Sequence, residues 1–114
     1  MRFLSIYTAR QAPSGPPSQE EMDRMGKMME RMTKEGLLIF AGGMGQHADG
    51  FKVSLDKSKF ASANGPLTDM FAKSMGFAIM EAPSRAALEP ALKEFLEAAG
   101  DGECEVMPIF MGPE

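Results

Sequence analysis

A chain of 114 residues suits one domain, 1–114, because roughly 100 to 150 residues is the commonest domain size and so small a core is not easily divided. Hydrophobic residues at 44% and charged residues at 25% exclude a disordered polymer, and no apolar run nears the roughly 18 residues that cross a bilayer, so no membrane partner is expected and a cytoplasmic location is the default. A net charge of −4 with scattered Lys and Arg argues against a nucleic-acid partner, and a single cysteine, Cys104, cannot form an internal disulfide.

Residues 2–7 alternate, with Phe3, Ser5 and Tyr7 on one face and Leu4 and Ile6 on the other, and their β-branched and aromatic content predicts a first strand. Three prolines and a glycine in residues 11–17 forbid regular hydrogen bonding and predict a loop. Ser18 with Glu21 three residues on has the form of a capping box, so a helix starts there. Met22, Met25, Met29 and Met32 recur at helical spacing and Gly36 is the expected left-handed stop, so this helix lays a methionine stripe on a sheet. Gly26 in its middle costs up to about 1 kcal/mol relative to alanine, which signals close packing or local weakness.

Residues 37–41 form an apolar run of strand length, the pattern of a strand covered on both faces, and Gly42, Gly43 and Gly45 predict a turn or bulge after it. Residues 51–55 alternate as a half-exposed strand, 56–59 form a hairpin turn and 59–62 return. Residues 76–82 read as a further strand. Pro83 and Ser84 open a second helix carrying Leu88, Ala91, Leu92, Phe95 and Leu96 and stopping at Gly100; Pro90 predicts a kink or a regular helix that begins near it. Residues 104–110 form the last strand, before a tail at 112–114. This order predicts an α+β fold, an antiparallel sheet with two helices on one face. The other face is then bare and partly apolar, and a two-fold homodimer is the simplest way to cover it.

Asn64-Gly65-Pro66-Leu67, with Gly76-Phe77-Ala78-Ile79-Met80-Glu81 after it, resembles the YCII-related family, in the branch named for its Asp-Gly-Pro-Phe motif. Gly36-Leu37-Leu38 leading to Gly42-Gly43, and Glu103-Cys104-Glu105-Val106-Met107-Pro108, similar to the family's closing Glu-Val-Arg-Pro strand, extend the likeness over most of the chain. The resemblance implies a ferredoxin-like unit that pairs into a dimeric α+β barrel, in a superfamily that includes lactone isomerases, dehalogenases and monooxygenases; some relatives carry a candidate His and Asp pair at a cleft. Here Asn64 stands for the motif aspartate, Leu67 for its phenylalanine, and Met70-Phe71-Ala72 for a polar Thr-Lys-Glu stretch, so the pocket is expected to be more apolar and to lack the motif carboxylate.

His47 is the sole histidine and the one side chain whose ordinary pKa lies near neutrality, so it is the candidate proton carrier, oriented by Asp49 or Asp69. The bland alternative is a solvent-facing loop residue. Asn64 offers an amide to a ligand carbonyl, although Asn-Gly before proline is first a turn sequence, and Tyr7 offers a hydroxyl on an apolar body that suits a cavity wall as well as a core. Met70 and Phe71 supply the apolar surface of the cleft. One histidine, one cysteine and dispersed acids do not converge as three or four ligands, and the glycines at 42–45 lack the lysine and helix of a phosphate cradle, so neither metal nor cofactor is expected. The expectation is a protein that binds a small, largely apolar metabolite in a cleft bordered by His47, Asn64 and Asp69, with proton transfer of isomerase or lyase type. The alternative is a noncatalytic regulatory or protein-interaction module presenting methionine-rich surface to another chain.

Overall fold

The computed structural model of the chain describes residues 1–10, 17–45, 47–65, 67 and 73–110, with His47 described in its backbone alone. The expected loop at 11–16, the tail at 112–114 and the candidates Asp69, Met70 and Phe71 lie outside the described residues. In chain order the elements are β1 (Arg2–Ala9), α1 (Gln19–Lys34), β2 (Leu38–Gly43), a 3-10 turn (His47–Asp49), β3 (Phe51–Asp56), β4 (Lys59–Asn64), β5 (Ser74–Glu81), α2 (Arg85–Ala99) and β6 (Gly102–Ile109).

β1 lies inside a four-stranded antiparallel sheet of order β2-β5-β1-β6, with α1 and α2 on one face, which is the ferredoxin-like arrangement. The register pairs Phe3 with Met80, Ser5 with Ala78 and Tyr7 with Gly76. Because side chains alternate along a strand, this set shares the helix-covered face, while Leu4, Ile6, Phe77 and Ile79 share the opposite one. Phe3 and Met80 join Met28, Met32, Leu38, Ala82, Leu88 and Ala91 in a single buried cluster under the helices.

Local chemistry explains where the helices begin and end. The Ser18 hydroxyl accepts from the Glu21 amide at 3.1 Å, as the capping box requires. At the other end Gly36 adopts φ +79°, its amide donates to the Thr33 carbonyl at 3.1 Å, and that of Leu37 donates to Met32 at 2.9 Å, a Schellman closure available to glycine without a Cβ penalty. Ser84 caps α2 by accepting from the Ala87 amide at 3.2 Å. Arg31 of α1 pairs with Glu94 of α2 and joins the two helices, and that contact raises the already high pKa of Arg31.

Several expectations need correction. The buried stripe of α1 uses Met28 in place of Met22, which is half exposed, because the helix presents 25, 28, 29 and 32 to the sheet. Gly42 and Gly43 are strand residues paired with Phe77 and Gly76, and the irregularity in β2 falls between Leu38 and Phe40. β2 is an edge strand whose Ile39 and Phe40 are exposed in one chain, so its apolar run is covered on the helix side only. α2 runs continuously through Pro90, its regular part beginning five residues earlier at Arg85. Asn64 ends β4, paired with Phe51, and is not a turn residue.

Gly26 is not explained by packing, since a Cβ built there meets nothing within 4 Å. Its cost is therefore the backbone entropy of glycine in a helix, and Gly26→Ala is expected to stabilise the protein by about 1 kcal/mol, raising Tm by about 4 °C in thermal denaturation. A lower Tm would mean that the site is crowded after all.

β3 and β4 form a separate two-stranded sheet with every residue exposed. The hairpin turns at Lys57 and Ser58, both left-handed at φ 49° and 69°. The molecule measures 47 × 42 × 19 Å, one helix layer on one sheet in its thin direction, and its radius of gyration of 16.3 Å exceeds the ~13 Å of a rounded domain this long. Among the described residues no helix is long and apolar enough to cross a membrane.

Candidate functional site

Between the sheet and the two helices lies a cavity of about 540 Å³, within the range of small-molecule sites. Its origin lies in the size of the side chains on the covered face. At one end Phe3, Leu38 and Met80 fill the space and make the core. One and two pairs further along, the register brings Ser5, Ala41 and Ala78, then Gly43 and Gly76, to the same face, and such small groups leave room above them. Met25, Met28, Met29 and Met32 form one wall from α1, and Leu92 and Phe95 another from α2. Thioethers are flexible and polarisable, so this wall adapts to irregular apolar shapes and contacts aromatic edges well.

Two polar groups lie in this lining. Tyr7 stands with its ring edge-on to Phe95, centroids 5.3 Å apart, and its hydroxyl donates to the Gly100 carbonyl at 3.2 Å. Burial, with the nearby Cys104 and Asp101, pushes the Tyr7 pKa up, so the group remains a neutral phenol and cannot serve as a base near pH 7. Buried Ser5 interacts with the thiol of Cys104, whose own pKa is raised by burial against the lowering effect of that hydrogen bond. No imidazole or carboxylate belongs to the described lining. What these residues do chemically is enclose an apolar body and offer hydroxyl contacts at one end.

Of the sequence candidates, Tyr7 reaches this cavity. Asn64 is exposed on the hairpin and does not line it. His47 follows the lining residue Gly43 by four positions, on the 3-10 turn, with its side chain outside the described residues, as are Asp69, Met70 and Phe71. Ser5, Met28 and the floor of Ala41, Ala78 and Gly76 were missed. The signal for them is the fall in side-chain size along one face of each strand, which becomes visible once the pairing register is known.

No family model matches the sequence, and no curated protein matches it. Among solved structures, 5-chloro-2-hydroxyhydroquinone dehydrochlorinase (TftG) from Burkholderia phenoliruptrix AC1100, in complex with 2,5-dihydroxybenzoquinone, is similar at 20% identity, covering 98% of this chain and 96% of that one with a TM-score of 0.51. CutA from Xylella fastidiosa (10% identity, 98% and 86% covered, TM-score 0.46) and the divalent cation tolerance protein Cut A1 from Thermus thermophilus (15%, 99% and 88%, 0.44) are more distant. At such identities the likeness to the dehydrochlorinase speaks for the fold.

Proposed function

We propose that this chain is a cytoplasmic YCII-related protein that binds a small, largely apolar metabolite in the methionine-walled cavity and works as a homodimer paired through the bare sheet face. The observation that carries the reading is the cavity itself: apolar walls over a floor of small residues, with the Tyr7 hydroxyl and Ser5 as its polar contacts. Chemistry, in this reading, is proton transfer of isomerase or lyase type by His47, the chain's sole imidazole, with Asp69 as its orienting carboxylate and Met70 and Phe71 completing the ligand contacts, while Asn64, exposed at the end of β4, takes no part in them. Tyr7 offers its oxygen as an acceptor to a ligand hydroxyl, because its one proton is held by the Gly100 carbonyl and its raised pKa keeps that proton in place.

The test is a thermal-shift panel of hydroxylated benzenes, quinones and small lactones on wild type and His47→Ala, quinones being included because the dehydrochlorinase of like fold is seen with 2,5-dihydroxybenzoquinone. A bound compound at about 100 times its Kd stabilises the fold by about 2.7 kcal/mol, a rise of several degrees. The expected pattern is a shift retained in His47→Ala with turnover lost. A panel that moves neither protein counts against the binding role and leaves the interaction-module reading in its place.

A further inference from the structure

We propose that the β3–β4 hairpin is an arm that lies across the open sheet face of a second copy of this chain, each copy clasping the other. The inference rests on the homodimer of the proposed function and adds the element that holds it together.

The hairpin register places Leu55 opposite Phe60, Val53 opposite Ser62 and Phe51 opposite Asn64, so Phe51, Val53, Leu55 and Phe60 share one face. Lys52, Ser54, Asp56, Lys59, Ala61 and Ala63 take the other. The ribbon is therefore amphipathic, yet among the described residues nothing of its own chain covers the apolar side. A two-stranded hairpin alone is marginal in water, and this one turns through left-handed Lys57 and Ser58 where glycine or asparagine is preferred. Its order calls for a surface to lie on.

The same chain carries that surface. Phe40, Phe77, Ile79, Leu4 and Met107 occupy the sheet face away from the helices, with Phe40 and Phe77 rings 5.9 Å apart. Phe51, Phe60 and Phe40 are 66%, 70% and 60% exposed, and at about 200 Å² per phenylalanine these three alone present about 400 Å², half of the roughly 800 Å² that each partner of a stable dimer buries. The dimensions agree, since six-residue strands at about 3.3 Å per residue extend about 20 Å and four strands at about 4.8 Å spacing span about 19 Å. Charge agrees as well. Lys52, Lys57 and Lys59 outweigh Asp56 and give the arm as a whole a positive charge, with Lys57 at its tip and Lys52 and Lys59 on its outer side, whereas the register puts Glu103 and Glu105 on the open face of edge strand β6, so the arm is drawn to that face at long range. A two-fold axis satisfies both surfaces in one operation, because each chain offers one arm and one bare face.

The test is molar mass at micromolar concentration, by light scattering and sedimentation equilibrium, for wild type and for Phe51→Ser with Phe60→Ser. Wild type is expected to be a dimer and the double variant a folded monomer, with a dimer Kd raised at least about 100-fold. A dimeric wild type whose double variant keeps the same Kd overturns the arm and leaves the homodimer standing; a monomeric wild type overturns both. Should the double variant not fold, Lys57→Glu with Lys59→Glu reads the attraction between the arm's charge and the partner's face instead: the dimer weakens about 10-fold and Glu103→Lys with Glu105→Lys in the same chain restores it. An unchanged Kd in the lysine variant, or one not restored by the second pair, overturns the arm.

Discussion

Ala78→Leu is expected to abolish ligand binding while leaving the protein folded. Ala78 lies on the floor of the cavity between its register partners Ser5 on β1 and Ala41 on β2, directly under the methionine wall. Leucine adds three carbons to a space now empty, and burying them contributes about 0.8 kcal/mol per methylene, offset by about 1 to 3 kcal/mol of crowding if the thioethers do not move aside fully. The two terms nearly cancel, so stability should stay within about 1 kcal/mol of wild type. Binding is different, because the added isopropyl group occupies volume the ligand needs. Whichever panel compound binds wild type should bind the variant at least about 100-fold more weakly, a loss of about 2.7 kcal/mol. Calorimetry gives the affinity and urea denaturation the stability. Equal affinity in a folded variant would move the binding site elsewhere.

The same pocket shows where sequence reading succeeds and where it stops. Helix limits were legible because they depend on local chemistry: Ser18, Gly36 and Ser84 act within a few residues of themselves. The alternation of β1 was legible for the same reason, and it placed Phe3, Ser5 and Tyr7 together correctly. The cavity was not, because no segment contains it. It exists where Ser5, Ala41 and Ala78 from three strands come to one level, with Gly43 and Gly76 at the next, and only the pairing register sets those levels. The apolar run of β2 misled in an instructive way. It reads as a strand covered twice, yet β2 is an edge strand on which Ile39 and Phe40 are open, and an apolar run alone does not say which of its faces the same chain covers. Met22 and Met28 differ by less than two helical turns, and periodicity alone does not decide between them when both fall near the edge of an apolar stripe.

Gly102→Ala is expected to be the most damaging conservative change in the protein, and to damage the site along with the fold. Gly102 opens β6 opposite Ala9, on the face where the Tyr7 ring lies. A Cβ there would overlap the Thr8 carbonyl oxygen outright and come within 2.8 Å of the Tyr7 ring and 3.2 Å of the Ala9 Cα. Two of these obstacles are backbone of the neighbouring strand, so relief requires β1 and β6 to part, and the third is relieved only by moving the ring that borders the cavity. Crowding of a packed site costs about 1 to 3 kcal/mol, and because a strand pair must shift we expect about 3 kcal/mol by urea denaturation. The displaced ring should also be directly visible. With one tyrosine and no tryptophan in the chain, intrinsic emission comes from Tyr7 alone, so freeing it from Phe95 and Gly100 changes the spectrum of the folded variant. Gly45→Ala is the control, since nothing lies within 4 Å of its Cβ, and its stability should match wild type within about 0.5 kcal/mol. If Gly102→Ala proves no worse than that control, the close approach of β6 to Tyr7 is not real, and with it goes the fixed position of the hydroxyl at the end of the cavity.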